Sequence, residues 1–499
     1  MQPVLPLLSR RQALLATAGA AVVAAPWARA QADTDDHAAT WRVLSRLGYG
    51  PTPTLIAQVR DAGGPLAWAL REIDLAFAAN QRAVRLDGLP GDFDAPLPVI
   101  FEHVAEERAA RRERRDAQAS AATAMANPAS RDTGPVRYSA RIAREAAAWR
   151  LTACSRPELE SPLLARMTEF WFNHLNVSAD KAAVRPFVGH YAVHAIRAHA
   201  LGRFEDLLLA SARHPAMLLY LDQARSVANG TMQRGQRRGL NENYARELME
   251  LHTLGVNGGY GQQDVRELAR VLTGWTVGPR QEDGFRFAPR GHDSGTKTVL
   301  GQPFGGALDA RAGEAEGVAA IRMLAAHPAT AHRIALRLAQ WFVADQPPAT
   351  LVGRLAQSLQ SSGGDTRAVL RALVRSPAFL DPANTLFKTP YDYACSTLTA
   401  CGGPQGEREI NQALALLQGA GQGVLRWPTP DGYKVDRATW LAPEALTRRA
   451  DWALQLARRE PPVDFLADFA QPATRRHIHA QPASMRAALL LASRDFMVK

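Results

Sequence analysis

Residues 241–275 decide the fold, and they read NENYARELMELHTLGVNGGYGQQDVRELARVLTGW. Asn241 is a good N-cap, Glu242 suits the positive end of a helix, and Gly255 stands where a left-handed C-cap is wanted. These signals predict one helix of about four turns. A second helix is predicted a few residues later by four apolar residues at helical spacing: Val265, Leu268, Ala269 and Leu272.

Helical periodicity continues on both sides of this stretch. Mostly apolar side chains recur at helical spacing in two further segments: Leu164, Met167, Thr168, Trp171 and Leu175, and Ile334, Leu338, Trp341 and Phe342. One region differs, because residues 285–287 alternate and residues 296–301 are rich in β-branched side chains. This region predicts a small β-hairpin near 285–301, or two short extended arms. The predicted fold class is mainly α, a multi-helix array with one small hairpin.

The N-terminus has the pattern of an export signal. Arg10 and Arg11 precede an uncharged apolar run over 14–25, which is too short to span a bilayer. Residues 28–30 then place small side chains at alternate positions, as a signal peptidase requires. The paired arginine favours the twin-arginine route over the general secretory route or an uncleaved anchor. We therefore expect a signal peptide over 1–30 and a periplasmic or extracellular protein that is exported already folded.

Charge and hydropathy disfavour a nucleic-acid partner and a membrane-spanning segment. The formal net charge is +11, and the basic residues are mostly arginines spread from end to end. A nucleic-acid-binding protein usually concentrates its charge on one element with aromatic side chains interleaved. The one dense run, residues 108–115, contains no aromatic residue. We therefore expect no nucleic-acid partner, and no membrane span, since no later stretch approaches 18 uncharged apolar residues.

The length of the chain predicts two or more packed subdomains, because it exceeds what a single core usually serves. Composition suggests an N-terminal helical region over 31–160, a central motif-bearing region with the hairpin over 161–305, and a C-terminal helical region over 306–499. Within the first region, segment 108–135 passes from Arg and Glu to Ala, Ser, Asn and Pro. It predicts a protruding helix end followed by a flexible basic insertion.

Three cysteines, Cys154, Cys395 and Cys401, are too few for a disulfide framework. Buried free thiols are the expectation. A bridge between Cys395 and Cys401 is the alternative in an oxidising compartment, although a helical segment between them would hold the two sulfurs apart.

The densest polar cluster lies in the first predicted helix. At 100° per residue, four side chains share one face: Asn243, Arg246, Glu247 and Glu250. His252 points away from Glu250 on the same projection. Such a face is either solvated or internally paired, with Arg246 bridging a carboxylate, or it is a buried site. In the second interpretation, Glu247 and Glu250 bind a cation or act as acid and base.

Two other segments carry candidate chemistry. His174 follows large aromatic residues at a helix end, where a histidine is either a satisfied core residue or a ligand. His292 and Asp293 stand in a turn-rich loop with Lys297 just after them, and loops are where sites collect. We expect these segments to converge with Glu247 in one pocket. The candidate catalytic residues are Glu247, Glu250, His292, Asp293 and Lys297, and the candidate ligands of a divalent metal are His174, Glu247, His252 and His292.

Several standard catalytic signatures are missing from the sequence. It has no Cys-x-x-Cys-His, no Gly-x-x-x-x-Gly-Lys, no Gly-x-Gly-x-x-Gly after a strand, no His-Glu-x-x-His and no Gly-x-Ser-x-Gly. These absences disfavour covalent haem, nucleotide, zinc-peptidase and serine-hydrolase chemistry. A site assembled from separate helices would leave no short signature, as helix-bundle metal sites show.

A series of longer strings closely resembles the bacterial family catalogued as domain of unknown function 1800. The strings are FWFNHLNVS (170–178), HPAMLLYLD (214–222), the 239–275 stretch, HDSGTKTVLG (292–301), HPATAHRIALRLAQWFVAD (327–345), SPAF (376–379), KTPYDY (388–393) and PDGY (430–433). The resemblance runs from about Trp41 to the C-terminus in family order. It implies an exported helical protein with a twin-arginine signal. It also implies a plausible partner in unknown-function family 1501, whose members look like sulfatases or alkaline phosphatases. It implies no established reaction.

Two hypotheses follow from the sequence. The first is an extracytoplasmic metal-dependent enzyme with a carboxylate and histidine site. The second is a non-catalytic binding or assembly protein that works with an exported phosphatase-like or sulfatase-like partner, with the arginine-rich run at 108–115 as a docking arm.

Overall fold

The computed structural model describes residues 36–86, 88–123, 137–233, 236–305 and 312–499. Helical backbone covers 36–46, and the helices of the first half follow: α1 Pro53–Asp61, α2 Pro65–Asn80, α3 Leu97–Thr123, α4 Tyr138–Ser155, α5 Pro162–His174, α6 Val188–His190, α7 Phe204–Arg213, α8 Pro215–Tyr220, α9 Asn243–Glu247 and α10 Gln262–Val271. Two π-helices, Tyr191–Ile196 and Leu248–His252, continue α6 and α9. The prediction of a mainly α fold is confirmed.

Helices also make up most of the second half. They are α11 Ala312–Ala326, α12 Pro328–Phe342, α13 Ala349–Ser361, α14 Thr366–Val374, α15 Pro377–Leu380, α16 Pro390–Ala400, α17 Glu407–Gly419, α18 Arg437–Trp440, α19 Pro443–Ala457, α20 Pro472–His479 and α21 Ala483–Leu491. Short 3-10 turns join several of them: Asp92–Asp94, Arg185–Phe187, Arg197–His199, Gln223–Arg225, Pro289–Gly291 and Asp464–Phe469.

A proline at the first helical position starts many of these helices, because its missing N–H is not needed there and its φ already suits a helix. Thr52 and Ser161 cap α1 and α5 by accepting a backbone N–H. His214 and His327 do the same for α8 and α12, and each Nδ1 accepts the N–H two residues on at 3.1 Å. The His-Pro dipeptides at these two positions are therefore helix starts.

The described strands form three separate two-stranded antiparallel hairpins. Their strands are β1 Met232–Gln233, β2 Gln236–Arg237, β3 Trp275–Val277, β4 Phe285–Phe287, β5 Lys297–Val299 and β6 Gln302–Phe304. The predicted extended segments near 285–301 are both present. They do not pair with each other, since β4 pairs with β3 and β5 pairs with β6. The region is thus two short arms, each folded back on a neighbour.

The buried apolar side chains form one continuous cluster that runs from Val43 to Met497. Some of the charged side chains that cross it are paired. Arg150 donates to Glu169 at 2.7 Å, and Arg166 pairs with Asp392. A buried charge is tolerated when it is paired in this way. The division into three regions stays a prediction.

The structure describes part of the expected basic insertion over 108–135 and none of the expected signal peptide. Helix α3 continues to Thr123 and is exposed over 108–117, so the protruding helix end is present. Residues 124–135 of the expected flexible insertion, and the expected signal peptide over 1–30, lie outside the described residues.

The prediction of free thiols is wrong for two cysteines, because Cys154 and Cys395 form a disulfide between α4 and α16. Cys401 is the free, buried cysteine, so the alternative prediction of a bridge between Cys395 and Cys401 is also wrong. Among the described helices, none is long and apolar enough to cross a membrane.

Candidate functional site

The helix that carries Glu247 does not have the regular geometry that the sequence predicts. It is α-helical only over Asn243–Glu247 and then widens into the π-helix Leu248–His252. The hydroxyl of Thr253 donates to the backbone oxygen of Leu248 at 2.6 Å, and Gly255 ends the segment with a positive φ of 85°. The helical projection at 100° per residue therefore fails after Glu247. Single π-turns of this kind occur frequently at functional sites.

The end of α5 holds the loop that contains the PDGY string. Asn173 donates its side-chain amide to the backbone oxygen of Tyr433 at 3.0 Å and accepts the Tyr433 N–H at 2.7 Å. Gly432 presses against this contact with φ 69°, and a Cβ there would overlap the backbone oxygen of Asn173. Only glycine fits both the positive φ and the close approach. This arrangement fixes Asp431 beside the end of α5.

His174 joins α5 to the π-helix. It donates its Nε2–H to the backbone oxygen of His252 at 3.0 Å. Burial and the nearby Arg333 and Arg337 hold the pKa of His174 well below its ordinary value, so the ring is neutral. This hydrogen bond anchors the π-helix to α5. It agrees with the first of the two interpretations given above, in which His174 is a satisfied core residue.

His252 is also buried, and burial lowers its pKa to about 3. Its Nε2 has no hydrogen-bond partner within the part of the chain that the structure describes. A buried polar atom without a partner costs free energy unless something else satisfies it. His252 therefore carries a buried ring nitrogen that no described residue satisfies.

A polar frame ties the end of α8 to the start of α9. Lys181 donates to the backbone oxygen of Tyr220 at 2.8 Å and pairs with Asp222 at 3.0 Å. Asn243 donates to the backbone oxygen of Leu221 at 3.3 Å. The Tyr220 hydroxyl donates to the backbone oxygen of Pro428 at 2.7 Å, which connects α8 to the loop that carries Asp431. Three segments that are far apart in sequence thus meet at one place.

A group of ionisable side chains surrounds this meeting point, and we call it the Glu247 cluster: Glu247, Glu250, His252, Arg333, Arg337 and Asp431. Burial raises the pKa of Glu247, and the negative charge of Glu250 raises it further. Arg246 opposes the shift, and Asp431 adds a smaller increase. Arg246 itself donates to Gln262 at 2.9 Å and lies 3.5 Å from Glu242. Within the described residues, Glu247 has neither a hydrogen bond nor an ion pair, and its side chain is half-buried.

Two arginines of α12 face the carboxylates. Arg333 donates its Nε–H to the backbone oxygen of Leu251 at 2.8 Å, and its charge interacts with that of Glu250. Burial lowers the pKa of Arg337 to about 10, as does the neighbouring Arg333, while Asp431 opposes the shift. In the described residues Arg337 has no ion pair or hydrogen bond. The cluster therefore holds carboxylates and guanidinium groups that have not neutralised each other.

His292 and Lys297 belong to a second group, the Lys297 cluster, which is formed by Thr273, His292, Lys297 and Glu316. His292 donates its Nδ1–H to the backbone oxygen of Thr273 at 2.9 Å, and its Nε2 lies 3.4 Å from the Lys297 Nζ. Lys297 is almost fully buried and donates to Glu316 at 2.6 Å. Buried ion pairs with this degree of satisfaction are commonly structural.

Asp293 turns away from Lys297. It accepts two hydrogen bonds from Arg270, at 2.8 and 3.2 Å, and these hold its pKa below the ordinary value. Its backbone N–H donates to the Thr273 hydroxyl at 2.9 Å. Asp293 thus fixes the loop against α10, and both of its carboxylate oxygens already accept hydrogen bonds.

The structure therefore brings the predicted residues together in two groups. His174 and His252 join the helix of Glu247 and Glu250, whereas no hydrogen bond or ion pair of the described residues links His292 or Lys297 to that helix. Helix α10 packs on both α9 and β5. Across the described ranges, no group of three or more His, Cys, Asp or Glu is placed to hold a metal ion. The catalytic and metal roles of these residues stay predictions.

Comparison with known proteins gives a family. Residues 42–498 match the model described as "Protein of unknown function (DUF1800)". The chain belongs to this family. No curated protein and no solved structure matches it.

Membership of the DUF1800 family confirms the resemblance that the quoted strings indicate. Sequence reasoning missed four members of the site frame: Lys181, Arg333, Arg337 and Asp431. Arg333 and Arg337 recur four residues apart, so they share one face of α12, and Asp431 stands in a Pro and Gly turn. These signals were available, but nothing in them indicates that α12 lies against the π-helix.

Proposed function

We propose that this DUF1800 protein is an extracytoplasmic hydrolase in which Glu247 acts as the general acid. The observation that carries the proposal is the state of Glu247, which is half-buried and unpaired within the described residues and has a raised pKa. A carboxyl group in this state remains protonated nearer to neutral pH, as a proton donor requires.

The neighbours of Glu247 suit the other half of an acid–base reaction. In a hydrolysis, Glu247 would give its proton to the leaving group while an ionised carboxylate, Glu250 or Asp431, takes a proton from the attacking water. Pairs of carboxyl groups with separated pKa values divide these roles in known hydrolases. Arg337, which is unpaired in the described residues, would hold an anionic group of the substrate.

A divalent metal is part of the proposal as a cofactor to be tested. The carboxylate that does not act as the base, Glu250 or Asp431, would supply the oxygen ligand that Mg²⁺ and Ca²⁺ prefer, and Mg²⁺ is often held by only one or two carboxylates with water completing its shell. Such a metal would polarise the bond to be cleaved.

The proposal places the protein outside the cytoplasm, delivered by the twin-arginine pathway through Arg10 and Arg11. The disulfide between Cys154 and Cys395 supports this location, since such bonds persist in oxidising compartments and are rare in the cytosol. Replacing both arginines by lysine should leave the protein in the cytoplasm. Export that continues in a strain without the twin-arginine translocase would contradict the route.

The enzyme proposal is tested with untagged protein purified from the periplasm, assayed against chromogenic glycosides, esters and phosphate esters with and without Mg²⁺, Ca²⁺, Mn²⁺ or Zn²⁺. We expect wild-type turnover of one class and a loss of about a hundredfold or more in Glu247→Gln, the range for a general acid. Glu444→Gln, on an exposed helix start, is the matched control and should behave as wild type. Equal rates in wild type and Glu247→Gln would overturn the proposal. Metal analysis of the same preparation decides the cofactor.

A second candidate function is assembly with an exported partner of unknown-function family 1501, and it rests on a separate observation. Helix α3 leaves the core, and its residues 108–117, with five arginines, are exposed. An exposed basic helix suits an acidic protein surface. A tagged partner protein should co-purify with the wild-type chain and not with one in which the five arginines are replaced by serine. Equal recovery with both chains would exclude the arm as the docking element.

A further inference from the structure

A cavity of about 660 Å³ opens between α1, α2, the turn over 155–162 and the end of α16. Its wall is largely apolar, and four of the side chains that form it are Leu75, Ala79, Pro157 and Phe465. Leu75 is 50% exposed although its side chain is aliphatic. A cavity of this volume, with apolar walls and a few polar groups, suits a small molecule. None of the residues that line it belongs to either cluster described above.

Glu72 is the buried acidic group of this cavity. It lies in the wall formed by α2 and is 5% exposed. One carboxyl oxygen, Oε1, accepts hydrogen bonds from the Ser161 hydroxyl at 2.6 Å and from the Leu163 N–H at 3.3 Å. The other oxygen, Oε2, accepts none from the described residues, and it is not among the polar atoms that the fold encloses completely. Oε2 is therefore the part of the carboxyl group that a molecule in the cavity can reach.

The charged surroundings of Glu72 favour a cation. Burial raises the pKa of its carboxyl group, the hydrogen bonds from Ser161 and Leu163 lower it, and the negative charge of Glu160 raises it. Glu160 is already paired, since Arg197 donates to its two oxygens at 2.6 and 3.1 Å. The other contacts of Arg197 are with backbone oxygens. Within the described residues, Glu72 itself has no ion pair.

Two arginines at the rim leave Glu72 without a positive partner. Arg85 donates to the backbone oxygen of Glu158 at 2.6 Å, and Arg82 is exposed to solvent. Neither of them contributes to the pKa of Glu72. A positive group that enters the cavity would favour the ionised carboxyl group and would gain a charge-assisted hydrogen bond. The partner that Glu72 lacks is therefore one that a ligand can supply.

We propose that this cavity binds a primary alkyl amine, whose ammonium group donates to Oε2 of Glu72 while its hydrocarbon chain packs along Leu75 and Phe465. The chain gains free energy because it removes apolar surface from water. A carboxylate ligand would be repelled by Glu72. A metal ion would leave the apolar wall uncovered, and one free oxygen is far fewer than the six or more ligands that Ca²⁺ takes. The combination of apolar wall and single carboxyl group therefore selects an organic cation.

The test is calorimetric titration of the purified full chain, near neutral pH, with hexylamine, hexanol and hexanoate, which share one chain and differ in charge. We expect hexylamine to bind about tenfold more tightly than hexanol or better, the usual effect of one charge-assisted hydrogen bond, and hexanoate not to bind. Butylamine should bind about tenfold more weakly than hexylamine, because it buries two fewer methylene groups. Glu72→Gln should reduce the affinity for hexylamine to that for hexanol. Its amide oxygen can still accept from Ser161 and Leu163, so we expect this variant to fold.

Two further variants separate the cavity from the carboxyl group. Ala78→Trp places an indole in the cavity from an exposed position of α2, and it should abolish hexylamine binding while Glu72 is intact. Glu158→Gln removes an equal charge from the exposed rim and is the matched control, which should keep the affinity within about twofold because water and salt screen an exposed charge. Thermal unfolding of each variant shows that it is folded.

Four results would overturn the proposal. They are no binding of hexylamine up to about 5 mM, which is the weak limit of small-ligand affinity, equal affinity for hexanol and hexylamine, undiminished hexylamine binding in folded Glu72→Gln or Ala78→Trp, and a loss in Glu158→Gln as large as that in Glu72→Gln.

Discussion

Cys154 and Cys395 are covalently joined across 241 residues of sequence. Cys154 lies at the end of α4 and Cys395 in the middle of α16, and the two helices pack against each other in the core. A crosslink that closes so long a loop restricts the unfolded chain strongly. It is also the feature of the described structure that responds most directly to the redox state of the compartment.

We therefore expect Cys154→Ala to lower the free energy of unfolding by about 2–5 kcal/mol, as for other native disulfides. Urea unfolding under oxidising conditions measures the loss. Cys401→Ala is the control, since this buried thiol is unbridged, and it should cost less. If reduction of the wild type with dithiothreitol does not bring its stability close to that of Cys154→Ala, the bridge is not formed in solution.

Gly432 is expected to be intolerant of any side chain. Gly432→Ala forces a Cβ into the backbone of Asn173 at a positive φ, so we expect a loss of about 2–4 kcal/mol in the free energy of unfolding and displacement of Asp431. Gly421→Ala is the matched control. Its φ is 79° but the space around it is open, so it should cost only about 1–2 kcal/mol. Equal losses in the two variants would show that strain alone, without the close approach, sets the cost.

Buried neutral histidines should make the protein sensitive to acid. The pKa values of His252 and His214 are about 3 in the folded protein, against about 6.5 in an unfolded chain. Below about pH 6.5 these histidines bind protons in the unfolded state but not in the folded state, so the free energy of unfolding decreases as the pH falls towards 3. Each such histidine contributes about 1.4 kcal/mol per pH unit in that window.

The variant His252→Gln isolates one of these contributions. Urea unfolding between pH 6 and pH 4 should show a pH dependence that is shallower than that of the wild type by about 1.4 kcal/mol per pH unit. All other titrating groups are common to both proteins, so the difference belongs to His252. Identical slopes would mean that the folded protein accepts the proton.

The raised pKa of Glu247 depends on its acidic neighbours, and this gives a test by pH profile. Glu250→Gln removes a negative charge that raises the pKa of Glu247. If Glu247 is the general acid, kcat/KM should fall as the pH rises through this pKa, and the fall should move to lower pH in Glu250→Gln. Asp431→Asn should shift it in the same direction by a smaller amount. An unshifted alkaline limb in both variants would assign that limb to another group.

The Lys297 cluster is expected to be structural. Glu316→Gln leaves the buried Lys297 ammonium without its carboxylate, and we expect a loss of about 3–5 kcal/mol in the free energy of unfolding. The double variant Lys297→Met/Glu316→Gln should recover most of it, because the unpaired charge is gone. Glu407→Gln, in an exposed ion pair with Arg144, is the control and should change stability by about 1 kcal/mol or less. Loss of an enzymatic activity without loss of stability would instead favour a catalytic Lys297.

Much of the local structure follows from sequence. Helix α10, the Gly255 cap and the extended arms at 285–287 and 297–299 are where periodicity and turn residues predict them. The strand partners were not predictable, since strands of three residues pair equally well with several neighbours. The change from α-helix to π-helix after Glu247 was also hidden, because the wider turn is stabilised by contacts of Thr253, Arg333 and His174 that are made only in the folded chain.

The candidate site divides in the same way. The sequence identified Glu247 and Glu250 as candidates, because two carboxylates on one face of a helix cost free energy to bury unless other groups pair with them. It could not supply Asp431 or Arg337, which come from segments about ninety or more residues away and carry no signal of proximity in their own spacing. It also grouped His292 with Glu247, whereas the hydrogen bonds of His292 lead to Thr273 and Lys297.

By itself, the sequence determined that the fold is mainly helical and to which family the chain belongs, since these depend on residues that are close together in the chain. Only the tertiary structure decided which charges are paired and which are left free. Burial and the approach of distant segments set the pKa of Glu247, the partner of Cys154 and the neutral state of His174 and His252. Electrostatic interactions act through space over a few ångströms, and nothing in the order of residues measures that distance.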